Sequence, residues 1–156
     1  MLPLTLVLVV IGKPVDTPIQ RIYYADAEIP AHKIVLNHNS SPYLRGLPHH
    51  GVVAEISNSA GKTLFKVDLQ TQVIRALHRI KVIKSLDEVR TTKIIEVPYA
   101  YPVPTHERHA IVNRLKSWLQ QQGIHTVGRF GEWAYINSDE ALNRSLTLGK
   151  ALADQQ

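Results

Sequence analysis

The chain has 156 residues, a formal net charge of +5 and no cysteine. The length fits one domain with a substantial core, and the absence of cysteine excludes disulfides and thiolate metal sites and fits a reducing, cytoplasmic compartment. The apolar residues 1–12 are too few to span a bilayer and lack the marks of a signal peptide, so no membrane role is predicted. We therefore expect a single domain over residues 1–156.

The first part of the chain is predicted to form strands. β-branched and apolar residues favour strands at residues 5–11, 21–24, 32–37 and 51–57. Residues 37–50 are rich in Asn, Ser, Pro, Gly and His, which predicts a long loop, and residues 58–61 predict a turn. Because non-helical segments connect these strands, we expect a mainly antiparallel sheet.

Helices are predicted to begin later in the chain. Asp68 is expected to cap the first helix, which should end near residues 80–82. Residues 85–88 match a capping box with room for one turn, and residues 91–97 predict a strand. The prolines of residues 98–104 place that segment at a sheet edge or outside the sheet.

Two more helices are predicted near the C-terminal end. Thr105 is expected to begin one of them and Gly123 to end it. Trp118 lies on its apolar stripe and is predicted to be a core residue; the other members of the stripe are Ile111, Leu115 and Leu119. Residues 124–127 predict a short strand, and Asn137 or Ser138 should cap the last helix. The predicted class is α+β, with about three helices packed on a mainly antiparallel sheet.

Most familiar catalytic patterns are missing from the sequence. His49 and His50 are adjacent, and His106 and His109 are three residues apart, but neither spacing supplies a convincing third ligand, so no metal site is predicted. There is no Gly-x-Ser-x-Gly, no P-loop and no Gly-x-Gly-x-x-Gly. The basic residues of segment 75–84 alternate with core-type residues, which favours a solvated helix face over a nucleic-acid patch.

The strongest candidate site is the stretch from residue 128 to residue 142. Gly128 and Gly131 allow tight turns and close approach of a ligand, and a helix N-terminus follows. Trp133 and Tyr135 lie two residues apart beside Arg129. They either line a ligand pocket or cover the edge of the core, and spacing alone does not decide between these alternatives.

This stretch resembles the C-terminal motif of UDP-galactopyranose mutases and related amine-oxidase-like, FAD-dependent oxidoreductases. The motif is Gly128-Arg129-Phe130-Gly131-Glu132-Trp133-Ala134-Tyr135-Ile136-Asn137-Ser138-Asp139. Weaker similarities lie at residues 53–56 and 99–104. The resemblance covers nearly the whole chain but only the C-terminal, substrate-domain portion of a full family member. It implies that the N-terminal nucleotide-binding part is outside this sequence.

The resemblance also implies roles for individual residues. Contacts with the flavin are implied for Gly128, Arg129, Asn137 and Ser138, and contacts with the substrate for Arg129, Trp133, Tyr135 and Tyr101. The cofactor would be FAD, and the ligand would be a sugar nucleotide or another small molecule. The mutases usually have Asp and Met at the positions of Asn137 and Ser138, and Tyr at that of Trp133. These differences argue against assigning UDP-galactose as the substrate.

Three functions therefore stand as hypotheses. The first is a substrate-domain module of an FAD-dependent oxidoreductase or mutase-like protein, inactive and without tightly bound FAD on its own. It would be either a split or truncated gene product or a module that completes a partner chain carrying the nucleotide-binding half. The second is a non-enzymatic binding module that forms a homodimer. The third, suggested by charge alone and disfavoured, is nucleic-acid binding. No catalytic residue is assigned, and enzymatic activity is left open.

Overall fold

The structure is a computed structural model that describes residues 2–57 and 66–154. Contacts divide these residues into two compact units, residues 2–100 and the part of the chain from residue 101 onward. The expectation of one domain for the whole chain remains a prediction.

The first unit is built on a five-stranded antiparallel sheet. Its strands are β1 (Leu2–Ile11), β2 (Arg21–Tyr23), β3 (Lys33–Leu36), β4 (His50–Ser57) and β5 (Val89–Tyr101), of which the last residue begins the second unit. The order across the sheet is β2-β3-β4-β1-β5. All five predicted strand segments of this part are confirmed, as are the α+β class and the antiparallel sheet. β5 runs through Pro98 at the sheet edge, where a missing backbone donor is tolerated, as predicted.

The core of this unit lies between the sheet and helix α2 (Lys66–Arg79). Alternate residues of β1 and β4 point to one face, so a period of two places their apolar side chains together. Leu69, Val73 and Leu77 recur at helical spacing on α2 and are fully covered. Burying each such side chain contributes about 1.5–3 kcal/mol. The buried sheet residues of this core include Val7, Val9, Ile11, Ile34, Leu36, Val52, Ala54 and Ile56.

Local capping in this unit differs in detail from the predictions. Asp68 is not the N-cap of α2 but lies inside its first turn, where a carboxylate still favours the positive end of the helix. Ser85 does begin a single 3₁₀ turn, Leu86–Glu88, and its hydroxyl accepts from the Asp87 N–H at 3.3 Å. The Glu88 carboxylate accepts from the Lys84 N–H, so the reciprocal half of a capping box does not form.

The predicted loop 37–50 contains two short helical turns. These are a 3₁₀ turn, Asn37–Asn39, and helix α1 (Pro42–Arg45), whose first turn is capped by the Ser41 hydroxyl. The predicted turn at residues 58–61 lies outside the described residues. No helix in the described ranges is both long and apolar enough to cross a membrane.

The second unit contains helices α3 (Arg108–Gln121), α4 (Gly128–Gly131) and α5 (Ser138–Ala153). Gly123 ends α3 as predicted: its φ is 74°, and the Ile124 N–H donates to the Leu119 carbonyl at 2.9 Å. The prediction for Thr105 is wrong, because α3 begins after Glu107 and Thr105 supplies only its carbonyl to the Arg108 N–H. The predicted strand 124–127 is also wrong; these residues are not part of the sheet.

The apolar stripes of α3 and α5 are not buried. Trp118, predicted to lie in the core, is 55% exposed, and this prediction is therefore wrong. Helical spacing identifies which residues share a face but does not identify what covers that face. The other exposed members are Ile111, Leu115, Leu142 and Leu146, each more than half exposed.

Candidate functional site

The candidate site begins at α4, a short helix at the two glycines that were expected to allow tight turns. Gly128 has a φ of 88°, a left-handed conformation that glycine adopts without steric cost. The next three residues complete a single helical turn, in which the Glu132 N–H donates to the Gly128 carbonyl at 2.9 Å. This turn directs the Arg129 side chain toward the chain that enters α5.

Arg129 lies among two tyrosines and one backbone carbonyl. Its guanidinium carbon is 5.0 Å from the centroid of the Tyr135 ring and 5.6 Å from that of Tyr101, both within cation–π range. The two rings are 5.7 Å apart. The Arg129 Nε and Nη2 donate to the Ile136 carbonyl at 2.9 and 2.5 Å. The structure thus brings together three of the site residues that the resemblance implies, and Tyr135 remains 70% exposed.

Trp133 makes its contacts with Phe130 and Arg108. Its indole packs edge-on against Phe130, with ring centroids 6.4 Å apart. Its backbone is left-handed, with a φ of 50°, and its carbonyl accepts from the Arg108 Nε at 2.7 Å and from Nη2 as well. Sequence reasoning missed Arg108, because a contact between residues 25 positions apart leaves no local pattern.

Asn137 and Ser138 lie at the start of α5, as predicted. Asn137 is the N-cap, and its carbonyl accepts from the Ala141 N–H at 3.0 Å, while its side chain makes no capping hydrogen bond. Both side chains are exposed. The first turn of a helix offers backbone N–H donors and partial positive charge, so these residues can face an electron-rich group.

Glu132 connects the three helices of this unit. Its carboxylate accepts from Lys116 of α3 at 3.1 Å, from Arg144 of α5 at 3.2 Å and from the Gly128 N–H at 3.3 Å. Burial favours the neutral acid, but the hydrogen bonds from Lys116 and Arg144 outweigh it, so the pKa of Glu132 is lowered. The three side chains line a cavity of about 430 Å³ with residues of segment 124–127 and α5.

The residues around α4 have the chemical groups that one side of a flavin requires but lack those of a complete FAD site. Arg129 supplies a cation, the tyrosines supply ring faces, and the start of α5 supplies N–H donors. A dinucleotide also needs a glycine-rich turn against its pyrophosphate, and the sequence has no Gly-x-Gly-x-x-Gly. The site in this chain is therefore part of a larger one if FAD is its cofactor.

The histidines and the basic segment 75–84 are the other candidates named from the sequence. Within residues 2–57 and 66–154, no group of three or more His, Cys, Asp or Glu is arranged to hold a metal. His50 is buried next to His38, with ring centroids 5.2 Å apart, in the first unit. In the basic segment 75–84, Arg79 pairs with Glu28 on the exposed surface.

Comparison with known proteins supports the resemblance seen in the motif. No protein-family model matches the sequence. The chain superposes on reduced UDP-galactopyranose mutase with a TM-score of 0.74 and 20% identity, over 86% of this chain and 29% of that one. It also superposes on a protein from Exiguobacterium sp. 255-15, provisionally named a protoporphyrinogen oxidase, with a TM-score of 0.63 and 14% identity, over 99% of this chain and 35% of that one.

These similarities concern the fold. The chain shares the architecture of part of both proteins and spans about a third of their length. The predicted resemblance is thereby confirmed as one of structure.

Proposed function

We propose that this chain is the substrate-side portion of an FAD-dependent oxidoreductase or mutase-like protein. The observation that carries the proposal is the cluster of Tyr101, Arg129 and Tyr135 before α5, in a fold shared with part of UDP-galactopyranose mutase. The name of that neighbour supports a sugar nucleotide as the ligand class.

The chemistry of the cluster suits a phosphorylated ligand with a planar base. An arginine that is already positioned can bind a diphosphate with little further loss of side-chain freedom. Arg129 directs two of its five N–H groups to the Ile136 carbonyl, and the others are suited to phosphate oxygens. The exposed Tyr135 ring and the Trp133 indole offer surfaces for stacking, and Tyr101 lies beside Tyr135 and also contacts Arg129.

FAD is the proposed cofactor, held only in part by this chain. Gly128, Arg129, Asn137 and Ser138 would face the flavin, and FAD would supply the redox chemistry when bound. The pyrophosphate and ribose would be held by a nucleotide-binding portion, either elsewhere on a longer chain or on a partner chain. We expect residues 1–156 alone to be inactive and to bind FAD weakly.

Titration with FAD tests this division of the site. The purified chain should give no stoichiometric yellow complex at micromolar FAD, and mixing it with a chain that carries Gly-x-Gly-x-x-Gly from a neighbouring reading frame should produce one. A micromolar or tighter stoichiometric complex with the chain alone would overturn the proposal that its site is incomplete.

A matched pair of variants tests the ligand assignment in the reconstituted complex. Arg129→Lys keeps the charge but loses the planar fork, and should weaken UDP binding about tenfold. Arg114→Lys alters an exposed arginine of α3 and should leave UDP binding unchanged. Equal affinity in Arg129→Lys and the parent complex would remove Arg129 from the substrate site.

A second function, a homodimeric binding module, is favoured by the exposed apolar faces of α3 and α5. Leu115 and Trp118 on α3 and Leu142 and Leu146 on α5 are all more than half exposed. Apolar surface of this kind is commonly covered by another chain. A second copy and a nucleotide-binding partner are the two candidates, and light scattering of the chain alone separates them.

A further inference from the structure

Trp133 occupies a backbone position that normally belongs to glycine. It follows the last turn of α4, with the Ala134 N–H bonded to the Arg129 carbonyl at 2.8 Å and the Trp133 N–H to that of Phe130 at 3.2 Å. This is the hydrogen-bond pattern of a helix end with a left-handed residue, and α3 uses Gly123 at the same position. A tryptophan with a φ of 50° is sterically strained there, so it persists only if its surroundings hold it.

Two arginines hold the segment that Trp133 begins. Arg108 donates Nε–H and Nη2–H to the Trp133 carbonyl, and Arg129 donates the same two groups to the Ile136 carbonyl. Each arginine therefore fixes one end of residues 133–136 through a charged, two-pronged contact. Arg108 is at the first turn of α3, a helix that also reaches Glu132 through Lys116.

We propose that Arg108 is a positioning residue that holds Trp133 in its left-handed conformation and so orders the Trp133 and Tyr135 rings before a ligand binds. Ordering these rings in advance lowers the entropy that binding would otherwise cost. The hold on Trp133 follows from the geometry alone. The benefit to a ligand rests on the proposed function.

A double-mutant cycle, measured by amide hydrogen exchange, tests whether Arg108 holds Trp133 in its left-handed conformation. Arg108→Lys keeps the charge but cannot make the two-pronged contact, and should speed exchange of the Ala134 amide about tenfold. Trp133→Gly removes the strain, so Arg108→Lys in that background should change the rate less than about twofold. Arg114→Lys, an exposed arginine on the same helix, should have no effect.

A fluorine signal provides a readout that general destabilisation would not reproduce. The chain has two tryptophans, so 5-fluorotryptophan labelling gives one ¹⁹F resonance for Trp133 and one for Trp118. Arg108→Lys should broaden or split the Trp133 resonance and leave that of Trp118 unchanged. The proposal would be overturned if Arg108→Lys changed the exchange rate equally with and without Trp133→Gly. It would also be overturned if Arg108→Lys changed both tryptophan resonances equally. Neither measurement uses FAD or UDP, so a failure of the proposed function would appear separately in the titrations.

Discussion

At the scale of single residues, the surroundings of His38 give it a structural role. The Val15 N–H donates to the His38 Nε2 at 3.1 Å, so Nε2 must carry a lone pair and the ring is neutral with its proton on Nδ1. The ring is buried, and the neighbouring His50 and Arg45 add positive potential. Burial, followed by the effect of His50, therefore lowers the pKa of His38.

His38 should make stability depend on pH in mildly acidic solution. Since the folded pKa lies below 6.5, the unfolded chain takes up the proton first, and the stability present above pH 6.5 is lost as pH falls toward the folded pKa. The urea concentration at the unfolding midpoint should therefore decrease as the pH is lowered from 7.5 to about 5.5. His38→Gln, which still offers an acceptor to Val15, should flatten this fall, while exposed His106→Gln should not. If the urea midpoints of the parent chain and of both variants decreased equally with falling pH, the role of His38 would be contradicted.

At the scale of elements, sequence patterns predicted the first unit better than the second. β-branched alternation locates β1 and β4 because one face of each strand is buried and both edges are paired with neighbouring strands. Gly123 marks the end of α3 because few other residues accept its conformation. Residues 124–127 have the same strand-like composition but no strand beside them. Trp118 has core-like spacing but remains exposed. Local sequence does not show whether a strand lies beside residues 124–127 or whether another element covers Trp118.

Two glycines in the second unit should respond in opposite ways to the same substitution. Gly123→Ala places a Cβ on a residue with a φ of 74° and should destabilise the chain by about 1 kcal/mol. Gly149→Ala lies within α5 with open space around the new methyl group, and should stabilise by about 0.5–1 kcal/mol. Urea denaturation measures both. If Gly123→Ala left the stability unchanged or raised it, the end of α3 would not need a glycine at its left-handed position.

Glu132 is expected to hold α3, α4 and α5 together through its carboxylate. Glu132→Gln removes the charge that Lys116 and Arg144 share and should destabilise by about 1–2 kcal/mol, a modest value because both cations are more than a third exposed. The loss should shrink in high salt. Asp16→Asn, at an exposed carboxylate of the first unit, is the control.

The dependence of the free energy of unfolding on pH in acid gives an independent check on the stabilising role of Glu132. Because its pKa is lowered in the folded chain, its contribution is present above the ordinary value of 4.5 and is lost as pH falls through the folded pKa. The difference between the parent chain and Glu132→Gln should therefore narrow below pH 4.5. A difference that stays constant down to acid pH would assign the effect of the variant to packing.

At the scale of the whole molecule, the buried core is unevenly distributed. The main apolar cluster extends over residues 7–83, whereas none of the described residues in α3, α4 and α5 is buried. The helices of the second unit therefore gain little from apolar burial and depend on contacts such as those of Glu132 and Arg108. Covering Leu115 and Trp118 would supply about 25 cal/mol for each Å² of apolar surface removed from water.

Exposed apolar surface on α3 predicts concentration-dependent self-association of the chain when no other partner is present. Leu115→Glu combined with Trp118→Glu should shift the mass from light scattering toward the monomer, because charges would have to be buried in the interface. Tyr43→Glu is the control, since Tyr43 is an isolated aromatic of the first unit that is 75% exposed. If the parent chain stays monomeric at high concentration, a homodimer is excluded. The α3 face would then remain a candidate surface for the proposed nucleotide-binding portion, and formation of that complex should bury Leu115 and Trp118.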